Sequence, residues 1–165
     1  MKKKLLSVGD AGTGQLKRAW ALALRVPGGT RIFDALLTKL VPYTGSIGAR
    51  VIRVEPGRAE IVLPDRRAVR NHLGCVHAIA LANVAELAGN LALAFGIPDD
   101  ARFIVAGMSL DYKKKARGDI TAMGEAPIIT TNERREYEVK VRLLDSSGDE
   151  VTVATLRTLV GPARR

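Results

Sequence analysis

The sequence predicts an α+β fold, in which one long helix packs against an antiparallel sheet of about six strands, with two short helices before it. Three observations predict this class. A long apolar stretch over residues 76–95 has helical character and stops before Gly96 and Pro98. A β-hairpin pattern precedes this stretch. Four further runs with strand character follow it, and neither a repeat nor a long linker separates them.

The two short helices are predicted at residues 15–25 and 31–40, separated by Pro27-Gly28-Gly29. Thr30 is the expected N-cap of the second helix, and Pro42 is expected to end it. On this basis the chain divides into an N-terminal helical extension, residues 1–45, and a main domain, residues 46–165.

The β-hairpin is predicted from two β-rich runs, residues 49–54 and 58–63. Between them stands Glu55-Pro56-Gly57, where Pro followed by Gly suits the middle of a type II turn. A polar loop, residues 64–74, then leads into the long helix.

The second half of the chain is read as four strands, at about residues 104–112, 120–126, 137–143 and 151–160. The third has the clearest alternation, with Tyr137, Val139, Val141 and Leu143 expected inward and charged residues outward. In the first, one inward face is expected to consist of Ile104, Ala106, Met108, Leu110 and Tyr112.

Composition limits the functional classes. The chain has 26 Lys+Arg against 17 Asp+Glu, a net charge of +9, which suits nucleic acid, an anionic membrane surface or a phosphorylated small molecule. A lone cysteine, Cys75, excludes an internal disulfide and indicates a reducing compartment, the cytoplasm. One Cys and two His cannot build a structural zinc site.

No targeting or membrane-spanning segment is expected. Met1–Leu6 resembles the start of a signal peptide, but the apolar run fails at Ser7–Asp10. The apolar stretch at 76–97 is interrupted by polar residues, which favours a buried helix over stable membrane insertion. These interruptions are His77, Asn83, Glu86 and Asn90.

The long helix carries two distinct faces. A stripe of small residues falls in one arc at 100° per residue and would let a sheet approach closely: Ala78, Ala82, Ala85, Gly89 and Ala92. Asn83, Glu86 and Asn90 fall within about 60° of each other on another arc. A carboxylate on so enclosed a helix costs several kcal/mol unless it is paired. Glu86 therefore pairs with an Arg or Lys, caps the backbone of a partner, or is a functional group.

The segment from Asn71 to Glu86, N-H-L-G-C-V-H-A-I-A-L-A-N-V-A-E, resembles the signature of hotdog-fold thioesterases. The resemblance is to the phenylacetyl-CoA thioesterase-like branch, within a largely uncharacterised subgroup, and it covers about residues 48–160. It implies a hotdog fold, a homodimer or homotetramer, and hydrolysis of an acyl-CoA to free acid and CoA. No cofactor is implied, since coenzyme A is part of the substrate.

The resemblance also implies roles for individual residues. Glu86 would be the general base or nucleophile, and the Ala78 backbone N–H the oxyanion donor. Asn71 would orient substrate or water, and His77 would hydrogen-bond near the thioester, although a turn former and a loop contact are equally open readings. Gly74 and Asn90 are assigned to substrate binding, and a family Ser or Thr falls near the apolar Val105.

A basic cluster follows the first strand of the second half: Lys113, Lys114, Lys115 and Arg117. It is read as a docking point for coenzyme A phosphates, with a solvated strand edge as the alternative. Nucleic acid is not expected, because Tyr112 is its one stacking aromatic and no RNA- or DNA-binding signature accompanies it. The alternative functions are a non-catalytic acyl-CoA or fatty-acyl binding module and, more weakly, an RNA-associated protein. The acyl group cannot be read from the sequence.

Overall fold

The computed structural model describes residues 13–163, so the signal-peptide prediction for Met1–Asp10 lies outside the described residues. The helices are α1 Gly14–Ala23, α2 Gly29–Leu40, α3 Pro42–Gly45 and α4 Ala78–Gly96, with a short 3-10 turn at Arg67–Val69. The strands are β1 Arg50–Glu55, β2 Arg58–Leu63, β3 Ala101–Tyr112, β4 Ile120–Glu125, β5 Arg135–Leu144 and β6 Glu150–Pro162.

The six strands form one antiparallel sheet in the order β1-β2-β4-β5-β6-β3. The predicted α+β class is therefore confirmed. The hairpin turn places Gly57 at φ +75°, the value that a type II turn requires at its third residue.

Helix α4 lies directly on the sheet through its small residues. A Cβ on Gly89 would stand 2.9 Å from Leu156 Cδ2 of β6, and one on Gly124 of β4 would stand 2.4 Å from the Ala88 carbonyl oxygen. Ala85 and Ala92 are fully buried. The helix is long and apolar enough to cross a bilayer, but 67% of that window is buried, so α4 is the core helix of the fold.

Helix α2 packs against α1, α3 and β1, and α3 in turn contacts α4. Trp20 and Phe33 pack edge to face with ring centroids 4.9 Å apart, and both belong to the same hydrophobic core as α4. Leu37 of α2 and Leu87 of α4 line one small cavity. The apolar α4 thus packs on the sheet, and α3 covers part of its remaining surface.

The predicted N-cap of α2 is wrong. The cap is Gly28, at φ +73°, and Thr30 lies inside the helix. The turn between α1 and α2 is too tight for a side chain, because a Cβ on Gly29 would stand 1.8 Å from the Ala23 carbonyl oxygen. Glycine at positive φ admits this path without the steric cost that Thr would carry.

The predicted inward face of β3 is wrong in its first half. A β-bulge between Val105 and Gly107 shifts the register against β6. Before the bulge Val105 pairs with the buried Thr158, whereas Ile104 is 66% exposed. After the bulge Met108, Leu110 and Tyr112 pair with the inward-facing Leu156, Ala154 and Thr152.

The two edges of the sheet differ. At the β1 edge, the Val51 N–H donates to Asp34 Oδ1 of α2 at 3.0 Å. At the β3 edge, the Thr13 N–H donates to the Ala101 carbonyl at 3.2 Å. Beyond this point, from Phe103 to Tyr112, no described residue outside β6 pairs with the β3 backbone. The longer edge is thus the open one.

Candidate active site

The loop before α4 is a tight turn built on Asn71. Its side-chain Oδ1 accepts from the N–H groups of Leu73 at 2.9 Å and Cys75 at 3.2 Å. Its own N–H donates to the Cys75 carbonyl at 2.8 Å, and Gly74 takes φ +69° within the turn. Asn71 Oδ1 is therefore occupied in shaping the loop, which leaves Nδ2 as the group available to a ligand.

His77 caps the N-terminus of α4. Its Nδ1 accepts from the Ile79 N–H at 3.0 Å, and its backbone N–H donates to the Val69 carbonyl at 2.8 Å. Because Nδ1 accepts, the proton of the neutral ring sits on Nε2. The exposed His77 thus presents an Nε2–H donor beside the helix start.

The Ala78 N–H is the first of the helix, and among residues 13–163 it has no acceptor. Its carbonyl, in contrast, accepts from the Tyr112 hydroxyl at 3.2 Å. A free N–H at the positive end of a 19-residue helix suits a developing oxyanion. Tyr112 joins the end of β3 to this point.

Glu86 lies two turns further along α4. At 100° per residue it stands about 60° around the axis from Gly89, which faces β5 and β6. Asn83 lies about 120° from Gly89 in the same rotational direction as Glu86. Its Nδ2 donates to the Tyr43 carbonyl at 3.3 Å. Glu86 is only partly buried, and no described residue forms a hydrogen bond or ion pair with it. The ion-pair reading of Glu86 therefore has no partner within residues 13–163.

Two neighbouring amides on this polar arc are incompletely satisfied. The Oδ1 atoms of Asn83 and Asn90 are buried and have no hydrogen-bond partner within the described chain. On β6, the hydroxyls of Thr152 and Thr158 share this condition. Buried polar atoms are normally paired, so each of these four oxygens marks a position where a water molecule or a polar ligand group would be accommodated.

The single chain does not bring the predicted residues into one pocket. A cleft of about 190 Å³ at the start of α4 is lined by Tyr43, Arg70, His77, Ile79 and Asn83, among others, but not by Glu86. A larger cleft of about 340 Å³ lies between charged residues of β1, β2, β4 and β5, including Arg53, Arg58 and Arg142. Ala78 and Glu86 are eight residues apart, about 12 Å along the helix axis.

In the basic cluster, two of the four side chains form ion pairs with carboxylates of the described chain and two do not. Lys114 Nζ lies 2.8 Å from Asp145 and 2.6 Å from Asp149, and these contacts raise the pKa of Lys114. Lys113 pairs with Glu150 at 3.4 Å. Lys115 and Arg117 are exposed and have no partner among the described residues. An anion could therefore be held by Lys115 and Arg117, while Lys114 secures the β5–β6 turn.

Hydrogen bonds connect the segment that carries the basic cluster to the loop before α4. The Val76 N–H donates to the Ala116 carbonyl at 2.9 Å, and Asp65 Oδ2 accepts from the Gly118 N–H at 3.0 Å. Asp65 also accepts from Arg70 Nε at 2.6 Å, which lowers the pKa of the carboxyl. Lys115 and Arg117 thus lie in a segment that is tied to Asn71–Ala78.

Two further features of the site were not found from the sequence. The bond from Tyr112 to Ala78 joins positions 34 apart in the chain. Thr158 lies directly opposite Val105 and carries a buried hydroxyl, one strand from the expected family position. Within residues 13–163 no group of three His, Cys, Asp or Glu side chains could hold a metal ion.

Comparisons with solved structures give the class of fold. A Pseudomonas aeruginosa protein, described as of unknown function and a probable thioesterase, matches with TM-score 0.68 at 23% identity, over 83% of this chain and 97% of that one. A Haemophilus influenzae thioesterase matches with TM-score 0.71 at 13% identity, over 82% and 92%. The fold is the hotdog fold of such proteins.

The family follows from two further findings. The family model described as "Domain of unknown function (DUF4442)" matches residues 29–160. A structural-genomics crystal structure is 31% identical over 92% of this chain and 99% of that chain, with TM-score 0.77. The chain therefore belongs to the DUF4442 family. A search of curated proteins finds no match.

Proposed function

We propose that the protein is an acyl-CoA thioesterase whose sites are shared between two chains. The observation that carries the proposal is the distance between Ala78 and Glu86. An attacking group must come within about 3–3.5 Å of the carbonyl carbon, so groups about 12 Å apart on one helix cannot serve one thioester. Glu86 of one chain and the Ala78 N–H of a second chain can.

The open edge of the sheet supports this pairing. The backbone of residues 103–112 of β3 has no hydrogen-bonding partner other than β6 within the described chain. The partly buried Glu86 lies on the α4 side that faces β6. Met108 and Tyr112 are 37% and 49% exposed on the same inward face. A second copy paired along β3 would cover these side chains and bring its own Asn71–Ala78 segment towards Glu86.

In the proposed reaction the thioester carbonyl oxygen accepts a hydrogen bond from the Ala78 N–H. The Glu86 carboxylate takes a proton from water, and the resulting hydroxide adds to the carbonyl carbon. Collapse of this intermediate breaks the C–S bond. The protonated Glu86 then gives its proton to the thiolate of coenzyme A, which restores the carboxylate as the acid leaves. Direct attack by Glu86, through an anhydride that water then opens, gives the same products.

Other residues support parts of this site. Asn71 Nδ2, the His77 Nε2–H and the neighbourhood of Gly74 and Asn90 are proposed to hold the acyl-thioester. Lys115 and Arg117, with Lys113, are proposed to hold the phosphates of coenzyme A, because they are exposed and tied to the same loop. A buried free Cys75 supports a cytoplasmic location.

The test is thiol release from acyl-CoAs of two to sixteen carbons and from phenylacetyl-CoA. Glu86→Gln should lower kcat by about 10²- to 10⁴-fold. Ala78→Pro should do likewise, because proline at the first helical position removes the N–H without breaking the helix. The matched control is Glu138→Gln, an exposed glutamate with no partner among the described residues.

Retained turnover in Glu86→Gln, with unchanged thermal unfolding, would overturn the mechanism. The second candidate is a non-catalytic acyl-CoA binding module, favoured by the apolar Val105 at the family hydroxyl position. Saturable binding of acyl-CoA by the wild type without thiol release would establish that candidate instead.

A further inference from the structure

The helical hairpin of α1 and α2 exposes an unusual amount of apolar surface. Of the fourteen exposed large apolar side chains within residues 13–163, six lie between residues 22 and 40. Leu22, Leu24 and Ile32 are 62%, 60% and 64% exposed, and the others are Val26, Leu36 and Leu40. Contiguous apolar surface on a folded chain marks a contact with another molecule or with a membrane.

Three of these side chains lie at the corner between α1 and α2, residues 22–28, where backbone hydrogen bonds fix the path of the chain. The Leu24 N–H donates to the Trp20 carbonyl at 3.0 Å, and the Gly29 N–H donates to the Val26 carbonyl at 3.0 Å. Beneath the corner Trp20 and Phe33 are buried. The backbone therefore holds Leu22, Leu24 and Val26 outside the core rather than leaving them free to fold back onto it.

The apolar side chains of α2 continue this surface along one flank. At 100° per residue, Ile32, Leu36 and Leu40 span about 80° of the helix. Asp34 lies about 160° from Leu36, where it accepts from the β1 backbone. The single carboxylate of residues 14–40 is thus turned away from the apolar flank.

The charges that remain exposed on the hairpin have one sign. Arg18, Arg25, Arg31 and Lys39 are all exposed, whereas Lys17 pairs with Asp99 at 2.8 Å. We call the six exposed apolar side chains of residues 22–40 the apolar ridge. This ridge and the four cations match the interfacial region of an anionic bilayer, where acyl chains lie below a layer of phosphates. A second copy docked by two-fold symmetry would instead bring like charges together.

We propose that the α1–α2 hairpin docks on an anionic lipid surface, with Leu22, Leu24 and Val26 entering the headgroup region and the four cations binding lipid phosphates. The contact is peripheral, since α4 stays within the core. It goes beyond the thioesterase proposal and does not depend on it.

The test is co-sedimentation of the full chain with phosphatidylcholine vesicles and with vesicles containing 30% phosphatidylglycerol. The apolar variant is Leu22→Gln with Leu24→Gln, and the charge variant is Arg25→Glu with Arg31→Glu. The matched controls are Ile128→Gln, at an isoleucine that is 61% exposed, and Lys140→Glu, an exposed lysine of β5. Thermal unfolding and the emission of Trp20 report whether each variant is folded.

The wild type and both controls should bind the phosphatidylglycerol vesicles, with weaker binding to phosphatidylcholine alone. Each paired variant should bind at least ~10-fold more weakly while staying folded. Absence of wild-type binding, equal loss in controls and paired variants, or no loss in the paired variants would overturn the proposal. A changed oligomeric state in the apolar variant, with lipid binding unaltered, would show that the ridge is a protein–protein contact.

Discussion

At the scale of single residues, Asp34 shows how one side chain serves structure at an electrostatic cost. Its Oδ1 accepts from the Val51 N–H at 3.0 Å and so protects the β1 edge. Burial raises the pKa of Asp34, and the bond from Val51 and the charge of Arg50 offset part of that rise. The folded chain therefore binds the proton of Asp34 more tightly than the unfolded chain does.

Because of this difference in proton binding, Asp34 makes the fold less stable as the pH rises. At pH 3, below the unfolded pKa of about 3.8, Asp34 is largely protonated in both states and costs little. As the pH rises through the folded pKa, the charged form destabilises the fold. Asp34→Asn keeps the acceptor oxygen, so at pH 7 it should raise the free energy of unfolding by on the order of 0.5 kcal/mol, the penalty being screened at this half-buried site. Urea unfolding at pH 3 and pH 7 measures this.

Asp65→Asn is the control with the opposite sign. The hydrogen bond from Arg70 lowers the pKa of Asp65, so its stabilisation is present above the unfolded pKa and is lost in acid. This variant should therefore destabilise the fold at pH 7 and have little effect once the wild-type carboxyl is protonated. Equal pH profiles for the two variants would contradict at least one of the two pKa directions.

The candidate site was predictable at this scale only as a set of residue types. Glu86 stood out as a carboxylate on an apolar helix, whereas the role expected of Ala78 came from the resemblance to hotdog-fold thioesterases. Their separation along α4, and the hydrogen bonds that occupy Asn71 and cap the helix with His77, depend on the folded backbone. The roles given to these residues, and the phenylacetyl-CoA thioesterase-like branch, stay predictions.

At the scale of elements, the segment after β3 holds basic residues of two kinds, one in ion pairs with carboxylates and the other exposed without such a partner among the described residues. Lys114 bridges Asp145 and Asp149, and its contact lowers the pKa of Asp145. Lys115 and Arg117 carry exposed charge close to the loop before α4. The sequence could not distinguish these lysines, because their carboxylate partners lie about 30 residues further along the chain.

Lys115→Glu with Arg117→Glu should raise the KM for acyl-CoA at least ~10-fold, because charge-assisted hydrogen bonds to phosphate are lost. Turnover of the matching N-acetylcysteamine thioester, which carries no phosphate, should be unchanged. Lys140→Glu is the control for net charge. An equal rise in KM for both thioesters would remove the phosphates from the explanation.

The strands show why the sequence predicts some elements better than others. In β5, inward apolar residues alternate with outward charged ones, and Val139, Val141 and Leu143 are fully buried as predicted. In β3 the residues 103–106 are apolar on both faces, so alternation could not reveal the bulge at Val105–Gly107. The bulge became visible only through pairing with β6.

At the scale of the whole molecule, a shared site makes a specific prediction about mixed dimers. Glu86→Gln and Ala78→Pro are each expected to inactivate both sites of their own homodimer. A dimer that combines the two variants should carry one site with both lesions and one with none. Random pairing of equal amounts therefore restores about a quarter of wild-type turnover.

Co-expression of the two variants with different tags, followed by purification through both tags, isolates the mixed dimers. Their thiol-release turnover should be about half that of the wild type, because one of their two sites is intact. Each variant co-expressed with itself is the control. If mixed dimers form and remain inactive, Glu86 and Ala78 do not meet across two chains.

The 12 Å that separate Ala78 from Glu86 also link turnover to abundance. When the amount of protein in a cell falls below the dissociation constant of the pair, turnover should decline with the square of protein amount rather than in proportion to it. Small changes in gene dosage or expression would then change turnover more than in proportion. An excess of a copy that carries both Glu86→Gln and Ala78→Pro would suppress the normal copy, because neither site of their mixed dimer is complete.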